Sequence, residues 1–286
     1  MGNSQMINAD SNDVEIQQYL FDLQGYLVIE DVLSSKEVSE LNQLVEKQTL
    51  REQKEVLAEW DFTEDLKFGV AAGTGPEGSG FLDWGQPFCD LLDHPQIMPV
   101  LRLRLGDYFR LDRIFGIKCE KGAPMLPLHA DYGASAPNTL HPAGEYYHFP
   151  NSVIHDGFVV VVWNLSDTGP NYGGFCCIPG SHKSNFRLPQ KISHAPNQAS
   201  CVVIPEVSAG SVLMFTESLT HGTAEWRGKH QRRSLLYKYC QSQVIWSPRR
   251  VQPPTNIELT PRQKILFLEP GDPHRFFPSL FNLEER

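Results

Sequence analysis

The sequence predicts a mainly β protein, in which a sandwich or barrel of short strands follows a pair of helices. From about residue 111 to about residue 245, short apolar runs alternate with turn residues, a pattern typical of all-β folds. The 22 glycines and 21 prolines interrupt the 286-residue chain often, which favours short strands over long helices. Helical spacing of apolar residues occurs near the N-terminus instead.

Two helices with a strand between them are predicted before the β core. Apolar residues at helical spacing predict a first helix from Val14 to Gly25, where the glycine ends it. The short apolar run Tyr26–Ile29 predicts a strand. Ser34 followed three residues later by Glu37 predicts a capping box at the start of the second helix. The buried stripe of this second helix is predicted to be Val38, Leu41 and Val45.

The next segment, residues 55–90, contains the glycine-rich stretch GTGPEGSG at 73–80. It lacks the Lys-Ser/Thr pair of a phosphate-binding loop, so we interpret it as a lid or a plain loop. Beyond it, apolar runs predict the strands of the core. These runs are Ile114–Cys119, Phe158–Leu165, Phe175–Ile178, Cys201–Ile204, Ser211–Phe215 and Ser234–Cys240.

Composition excludes several classes of protein and partner. With 41% hydrophobic and 21% charged residues, the chain is neither disordered throughout nor a coiled coil. Its formal net charge of -9 offers no electrostatic footprint for nucleic acid or an anionic membrane. No apolar run approaches the roughly 18 residues needed to cross a bilayer. We therefore expect no nucleic-acid partner and no membrane association.

The cysteines and the N-terminal residues bear on location and domain organisation. Six scattered cysteines include no CxxC pair, so a thiolate metal site is not predicted. The polar N-terminus has no apolar segment typical of a secretion signal, and we expect a cytoplasmic protein with reduced thiols. Residues 1–12 are expected to form a flexible tail and residues 13–286 a single domain.

Two histidines and an aspartate form a candidate metal site. His129 and Asp131 stand two residues apart in PLHADYG, and on extended backbone both would project to the same face. His221, in LTHGT after a later strand, would complete a set of two nitrogens and one carboxylate oxygen. That set leaves three positions open on an octahedral ion, as in non-haem Fe(II) oxygenases. If the HxD motif of His129 and Asp131 is considered alone, the alternative to a metal site is that the motif occurs by chance and His129 is a hydrogen-bonded loop residue.

Four segments, in the same order along the chain, resemble the phytanoyl-CoA dioxygenase family. They are FDLQGYLVIEDVLSSKEVSELN (21–42), HAD (129–131), WNLSDTGPNYGGFCCIPGSHKS (163–184) and THGTAEWRGKHQRRSLLY (220–237). The resemblance covers roughly residues 15–240. It implies a double-stranded β-helix (jelly roll, cupin-like) and an Fe(II)- and 2-oxoglutarate-dependent oxygenase. The implied iron ligands are His129, Asp131 and His221.

The resemblance also implies residues that bind 2-oxoglutarate. In the family, the arginine for the distal carboxylate commonly lies eleven residues after the distal histidine, which corresponds to Arg232, with Arg233 beside it. Only one of the two can enter the barrel, and the small Ser234 on the face of Arg232 favours Arg232. Thr223 is expected to donate its hydroxyl to the same carboxylate. Trp163 is expected to wall the cosubstrate pocket, with a core position as the alternative.

The expected activity follows from this set of residues. With Fe(II), 2-oxoglutarate and O₂, the protein would oxidise, and most simply hydroxylate, a C–H bond of a small molecule or natural-product intermediate, releasing succinate and CO₂. Relatives that halogenate have a small residue at the position of Asp131, so a carboxylate there favours hydroxylation, desaturation or ring formation. Two alternatives stay open: a metal enzyme that does not use 2-oxoglutarate, and a jelly-roll ligand-binding protein. A monomer or homodimer is expected.

Overall fold

The structure of the protein is a computed structural model. Its centre consists of a six-stranded and a three-stranded antiparallel sheet. It describes residues 13–48, 56–57, 60–61, 66–70, 78–136, 147, 149, 156–194, 199–246 and 250–283. The predicted tail at residues 1–12 lies outside the described residues, as do residues 73–77 of the glycine-rich stretch.

Short helices surround the strands. The helices are α1 (Val14–Gln24), α2 (Ser35–Glu46), α3 (Gln86–Asp90), α4 (Met98–Leu105), α5 (Gln190–Ser193) and α6 (Pro261–Leu266). The strands are β1 (Tyr26–Ile29), β2 (Val56–Leu57), β3 (Trp60–Asp61), β4 (Leu66–Val70), β5 (Phe109–Cys119), β6 (Leu126–His129), β7 (Phe158–Asn164), β8 (Gly174–Cys177), β9 (Val212–Thr216), β10 (His221–Ala224) and β11 (Arg232–Gln241). None of the described helices has the length and apolar character required to span a bilayer.

The strand order confirms the predicted mainly β, jelly-roll architecture. The larger sheet has the order β1-β9-β7-β11-β5-β4, the smaller sheet has the order β6-β10-β8, and β2 pairs with β3. Neighbouring strands in both main sheets are antiparallel. Because most sheet neighbours are distant in sequence, the fold depends on long-range pairing, as a double-stranded β-helix requires.

Alternation along β7 separates two hydrophobic clusters. Phe158, Val160 and Val162 belong to the cluster between the two sheets, which also contains Cys177 of β8. The intervening residues, Val159, Val161 and Trp163, belong to a second cluster that includes side chains of α1 and α2. Since successive strand residues point to opposite faces, one strand lines both the interior of the barrel and the layer beneath the helices.

The first helix matches its predicted bounds and the second begins at its predicted cap, but only some of the apolar residues of α1 face the core. Gly25, at φ 82°, ends α1, and a Cβ there would lie 2.5 Å from Nδ1 of His182. The buried residues of α1 are Gln17 and Phe21, whereas Tyr19 and Leu23 are 67% and 50% exposed. In α2 the predicted capping box is present. Its predicted stripe, Val38, Leu41 and Val45, is buried.

The predicted strand Cys201–Ile204 is wrong. Only Val203 makes a β-bridge, to Cys177, through a pair of backbone hydrogen bonds of 2.9 Å each. Val202 and Ile204 pack on one cluster and Val203 on another, so the side chains alternate as in a strand. The next residue is Pro205, which has no N–H to extend the ladder.

His182 connects the turn after β8 to α1 and belongs to no metal-ligand set within the part of the chain that the structure describes. Its Nε2 lies 2.9 Å from the carbonyl oxygen of Asp22, and the residue is 1% exposed. Nδ1 has no hydrogen-bond partner among the described residues. Burial lowers the pKa of His182 to about 4, because a charged imidazolium would have to be kept out of water.

Acid should destabilise the protein through His182. The folded-state pKa lies below the ordinary value of 6.5, so the unfolded chain binds more protons between those two values. The free energy of unfolding should therefore fall by roughly 3 kcal/mol as pH drops from 7 to 4 on account of this residue. Urea denaturation of wild type and His182→Gln across this range measures the difference, and the variant should show the flatter dependence. His274→Gln, at an exposed position, should behave as wild type. Equal slopes in wild type and His182→Gln would contradict the assignment.

Candidate metal centre and cosubstrate pocket

Strand pairing brings His129 and His221 together. The two residues are direct partners across the antiparallel β6–β10 pair, and their ring centroids are 4.7 Å apart. Asp131 follows β6 by two residues. One potential ligand atom each from His129, Asp131 and His221 lies within 4.8 Å of the other two. The structure therefore assembles the three residues that the sequence predicted as metal ligands.

Both histidines are held by a backbone carbonyl through the same ring nitrogen. Nδ1 of His129 lies 3.1 Å from the carbonyl oxygen of Pro127, and Nδ1 of His221 lies 2.8 Å from that of Leu219. A ring nitrogen facing a carbonyl carries the proton, which leaves Nε2 as a lone-pair donor for an ion. Burial lowers the pKa of His221 to about 3, with a further contribution from His129. His221 is therefore neutral, the form that binds metals.

Asp131 is paired with a buried lysine. Its Oδ2 accepts a hydrogen bond from Nζ of Lys238 at 2.9 Å, and the side chains are 16% and 7% exposed. Burial by itself would raise the pKa of the Asp131 carboxyl, but the Lys238 ammonium outweighs it and holds that pKa well below its usual range. Burial lowers the pKa of Lys238 to about 8, against the opposing effect of Asp131. Asp131 is accordingly a carboxylate with an adjacent cation.

Sequence reasoning missed Lys238, although a signal was present. The residue lies in the apolar run LLYKYC of β11, where a lysine is unexpected unless it is paired. Counting by twos from Arg232 reaches Ser234, Leu236 and then Lys238, so all four share one face of the strand. The same face arithmetic that favoured Arg232 therefore also predicts an inward Lys238.

Glu217 supports the segment that carries Asp131. Its backbone carbonyl accepts hydrogen bonds from the N–H groups of Asp131 and Tyr132, at 2.9 and 3.2 Å. Its carboxyl group is buried and accepts from the backbone N–H groups of Gly157 and Phe158, at 2.8 and 3.2 Å. Burial and the nearby charge of a second carboxylate raise the pKa of Glu217. Glu217 thus joins the segment after β6 to the beginning of β7.

The two candidate arginines lie on opposite faces of β11. Arg232 is on the face turned toward the smaller sheet, is 4% exposed, and its Nε and Nη1 have no hydrogen-bond partner among the described residues. Gly174 lies beside it, since a Cβ there would be in van der Waals contact with Nε, at 3.6 Å. Arg233 instead points to α2, where its guanidinium contacts Asn42 and Glu46. The structure thus places Arg232 inside and does not bring Arg233 to the site.

The structure places Thr223 and Trp163, the other two residues predicted to contact 2-oxoglutarate, on different faces of their strands. Thr223 follows His221 by two residues on β10 and is paired with Phe175, so it shares the interior face with that histidine. Trp163 is fully buried on the other face of β7, with its ring centroid 5.4 Å from that of His94. The expectation that Trp163 walls the cosubstrate pocket is therefore corrected: strand alternation turns it toward the helices, where it is a core residue.

Aromatic rings cover the side of the centre next to Asp131. The ring of Trp246 lies 4.4 Å from that of Tyr132 and 5.3 Å from that of Phe158, measured between centroids. The ammonium of Lys238 lies 4.8 Å from the centroid of Phe158. These contacts define an apolar wall, with a cation against it, on one side of the three candidate ligands.

These residues fit an Fe(II) ion with 2-oxoglutarate. Two imidazole nitrogens and one carboxylate oxygen form the donor set of a non-haem iron site with open positions. The guanidinium of Arg232 is a buried cation whose Nε and Nη1 are unsatisfied, which is what the distal carboxylate of 2-oxoglutarate requires.

Comparisons with known proteins agree with this geometry. The family model of phytanoyl-CoA dioxygenase (PhyH) matches residues 21–234. The crystal structure of HygX from Streptomyces hygroscopicus with nickel and 2-oxoglutarate bound is 23% identical, with a TM-score of 0.66 over 80% of this chain and 88% of HygX. AviO1 from Streptomyces viridochromogenes Tue57 is 20% identical, with a TM-score of 0.54 over 83% of this chain and 99% of AviO1.

At these identities the two structures establish a shared fold. A search of curated proteins returns no significant match. The family model, by contrast, spans most of the chain, including all three candidate ligands and Arg232. The protein therefore belongs to the phytanoyl-CoA dioxygenase (PhyH) family of Fe(II)- and 2-oxoglutarate-dependent oxygenases.

Proposed function

We propose that this oxygenase hydroxylates a C–H bond of a small molecule or natural-product intermediate, with succinate and CO₂ as co-products. The observation that carries the proposal is the cluster of His129, Asp131 and His221, with ligand atoms within 4.8 Å, in the same barrel as the unsatisfied guanidinium of Arg232. Fe(II), together with 2-oxoglutarate and O₂, supplies the oxidising power for such a reaction.

The protein's residues bind and orient the participants. His129, Asp131 and His221 would hold the iron, each through a side chain already fixed by a neighbouring group. Arg232 would bind the distal carboxylate of 2-oxoglutarate through charge-assisted hydrogen bonds from its guanidinium, which would set the orientation of the cosubstrate as well as its affinity. Thr223, on the interior face of β10, would donate its hydroxyl to the same carboxylate.

Two features favour hydroxylation of an enclosed substrate. The rings of Tyr132, Phe158 and Trp246 would limit the access of water next to Asp131, which would protect a reactive centre from side reactions. The Asp131 carboxylate would take the place at the iron that a halide would need. Hydroxylation therefore fits this donor set better than halogenation does.

The structural relatives support a small-molecule substrate. HygX was crystallised with nickel, 2-oxoglutarate and hygromycin B bound, and that structure is 22% identical to this chain. We propose a small organic substrate and O₂ as the partners, and a cytoplasmic monomer or homodimer.

Metal and cosubstrate binding test this proposal directly. Calorimetry should show one Fe(II) or Ni(II) per chain under anaerobic conditions, and 2-oxoglutarate should bind the Ni(II)-loaded protein. The Fe(II) protein in air should convert 2-oxoglutarate to succinate and CO₂ in equal amounts. Metal binding without 2-oxoglutarate binding would favour the metal-enzyme alternative, and the absence of both would favour a ligand-binding jelly roll. With a substrate in hand, products formed in excess chloride should gain oxygen and no chlorine.

A further inference from the structure

Each of the three candidate ligands has one atom held by a neighbouring group, but the group on Asp131 differs from the other two. Carbonyl oxygens two residues upstream fix the Nδ1 atoms of His129 and His221. Asp131 is held instead by a charged side chain from the opposite sheet, Lys238 of β11. A charge-assisted hydrogen bond of this kind is stronger than one between neutral groups.

Lys238 is itself held firmly in place. It lies within β11, paired on one side with Arg113 of β5 and on the other with Val160 of β7. Its side chain is 7% exposed, and its Nζ lies 4.8 Å from the ring centroid of Phe158 and 5.7 Å from that of Phe115. Strand pairing on both sides and contact with two rings leave the ammonium little freedom to leave Asp131.

The hydrogen bond from this ammonium bears on how Asp131 would bind an ion. Lys238 engages Oδ2 of Asp131 at 2.9 Å, so Oδ1 is the oxygen that does not accept this hydrogen bond. An octahedral ion that takes two histidine nitrogens, one carboxylate oxygen and two oxygens of 2-oxoglutarate has one position left for O₂. If Asp131 bound through both oxygens, all six positions would be filled.

We propose that Lys238 is a positioning residue that restricts Asp131 to one metal–oxygen bond and thereby keeps the sixth position free for O₂. The inference rests on the metal site of the proposed function and adds a role that the ligand set alone does not contain. Lys238 acts through Asp131 and does not itself contact the metal or the cosubstrate.

Lys238→Met tests the proposal, since methionine keeps an unbranched apolar stem as far as Cε but removes the ammonium. In crystals of the Ni(II)- and 2-oxoglutarate-loaded protein, Asp131 should bind through one oxygen in wild type and through both in Lys238→Met. Nitric oxide binds Fe(II) in place of O₂. Its complex with the wild-type Fe(II) protein should give a strong electron paramagnetic resonance signal, and most of this signal should be lost in the variant. Succinate formation should fall about 10- to 100-fold, with the affinity for 2-oxoglutarate unchanged.

Three further variants complete the experiment. Lys238→Arg keeps the charge and the donors and should restore one-oxygen binding and the nitric oxide signal. Lys238→Gln, whose amide nitrogen lies one bond short of Nζ, keeps a polar side chain in case the methionine variant does not fold, and should show the same loss. Lys183→Met removes a surface lysine that pairs with Asp22 at the same 2.9 Å distance, and should behave as wild type.

The outcomes separate this proposal from the proposed function. If wild type fails to bind Ni(II) and 2-oxoglutarate, the proposed function is wrong. If wild type binds both, while the folded Lys238→Met or Lys238→Gln protein keeps one-oxygen coordination and the full nitric oxide signal, only the role of Lys238 is overturned.

Discussion

Replacing His129, Asp131 or His221 with alanine should abolish tight Fe(II) binding and, with it, turnover. Each of the three supplies one ligand atom of a cluster within 4.8 Å, and an Fe(II) site of this type has three protein ligands and no spare one. Anaerobic calorimetry with Fe(II), or with Ni(II) in air, measures the loss. Circular dichroism of the metal-free proteins separates loss of a ligand from loss of the fold.

His194→Ala is the matched control for the two histidine variants. Its Nδ1 also lies 2.9 Å from a backbone carbonyl oxygen, that of Gln190, but the residue is exposed and belongs to no metal-ligand set among the described residues. It should bind Fe(II) as wild type does. Unchanged Fe(II) affinity in any two of the three ligand variants would refute the assignment.

Arg232→Ala should raise the apparent KM for 2-oxoglutarate several hundred-fold while leaving Fe(II) affinity nearly unchanged. The guanidinium is buried with unsatisfied donors, so the distal carboxylate would lose its cation in a site closed to water. Removing one member of a buried ion pair costs about 3–5 kcal/mol, which corresponds to a factor of hundreds or more in binding. Steady-state kinetics and calorimetry of 2-oxoglutarate with the Ni(II)-loaded protein both report the effect.

The adjacent arginine provides the control. Arg233→Ala removes a guanidinium that contacts Asn42 and Glu46 of α2, and should leave the KM for 2-oxoglutarate close to wild type. If Arg233→Ala had the larger effect, or if both variants bound 2-oxoglutarate normally, another group would have to hold the distal carboxylate.

Local signals predicted most of the elements that frame the site. The capping box of Ser34 and Glu37, the glycine at the end of α1 and the apolar runs of β5, β7 and β9 all act within a few residues, so their structural consequences can be read from the chain. The predicted strand Cys201–Ile204 failed because strand formation there depends on a pairing partner that is distant in sequence. Val202–Ile204 alternates as a strand does, yet it forms only one bridge because Pro205 cannot continue the ladder.

The buried face of α1 shows the same limit. Apolar side chains at helical spacing predict a helix, but they do not specify which face meets the rest of the protein. The structure buries Phe21, whose ring lies 4.5 Å from the guanidinium of Arg104 on α4, and leaves Tyr19 and Leu23 exposed. Contact with a distant helix therefore decided the face.

The sequence by itself determined the chemistry available to this protein: the HxD motif, the distal histidine, and two adjacent arginines of which strand alternation admits only one to the barrel. Tertiary structure decided which side chains meet. It set His129 opposite His221, turned Trp163 to the helix side of β7, and brought Lys238 from the larger sheet to Asp131. Side-chain direction within a strand has a period of two and is local, whereas contact between sheets depends on registers established by residues a hundred positions apart.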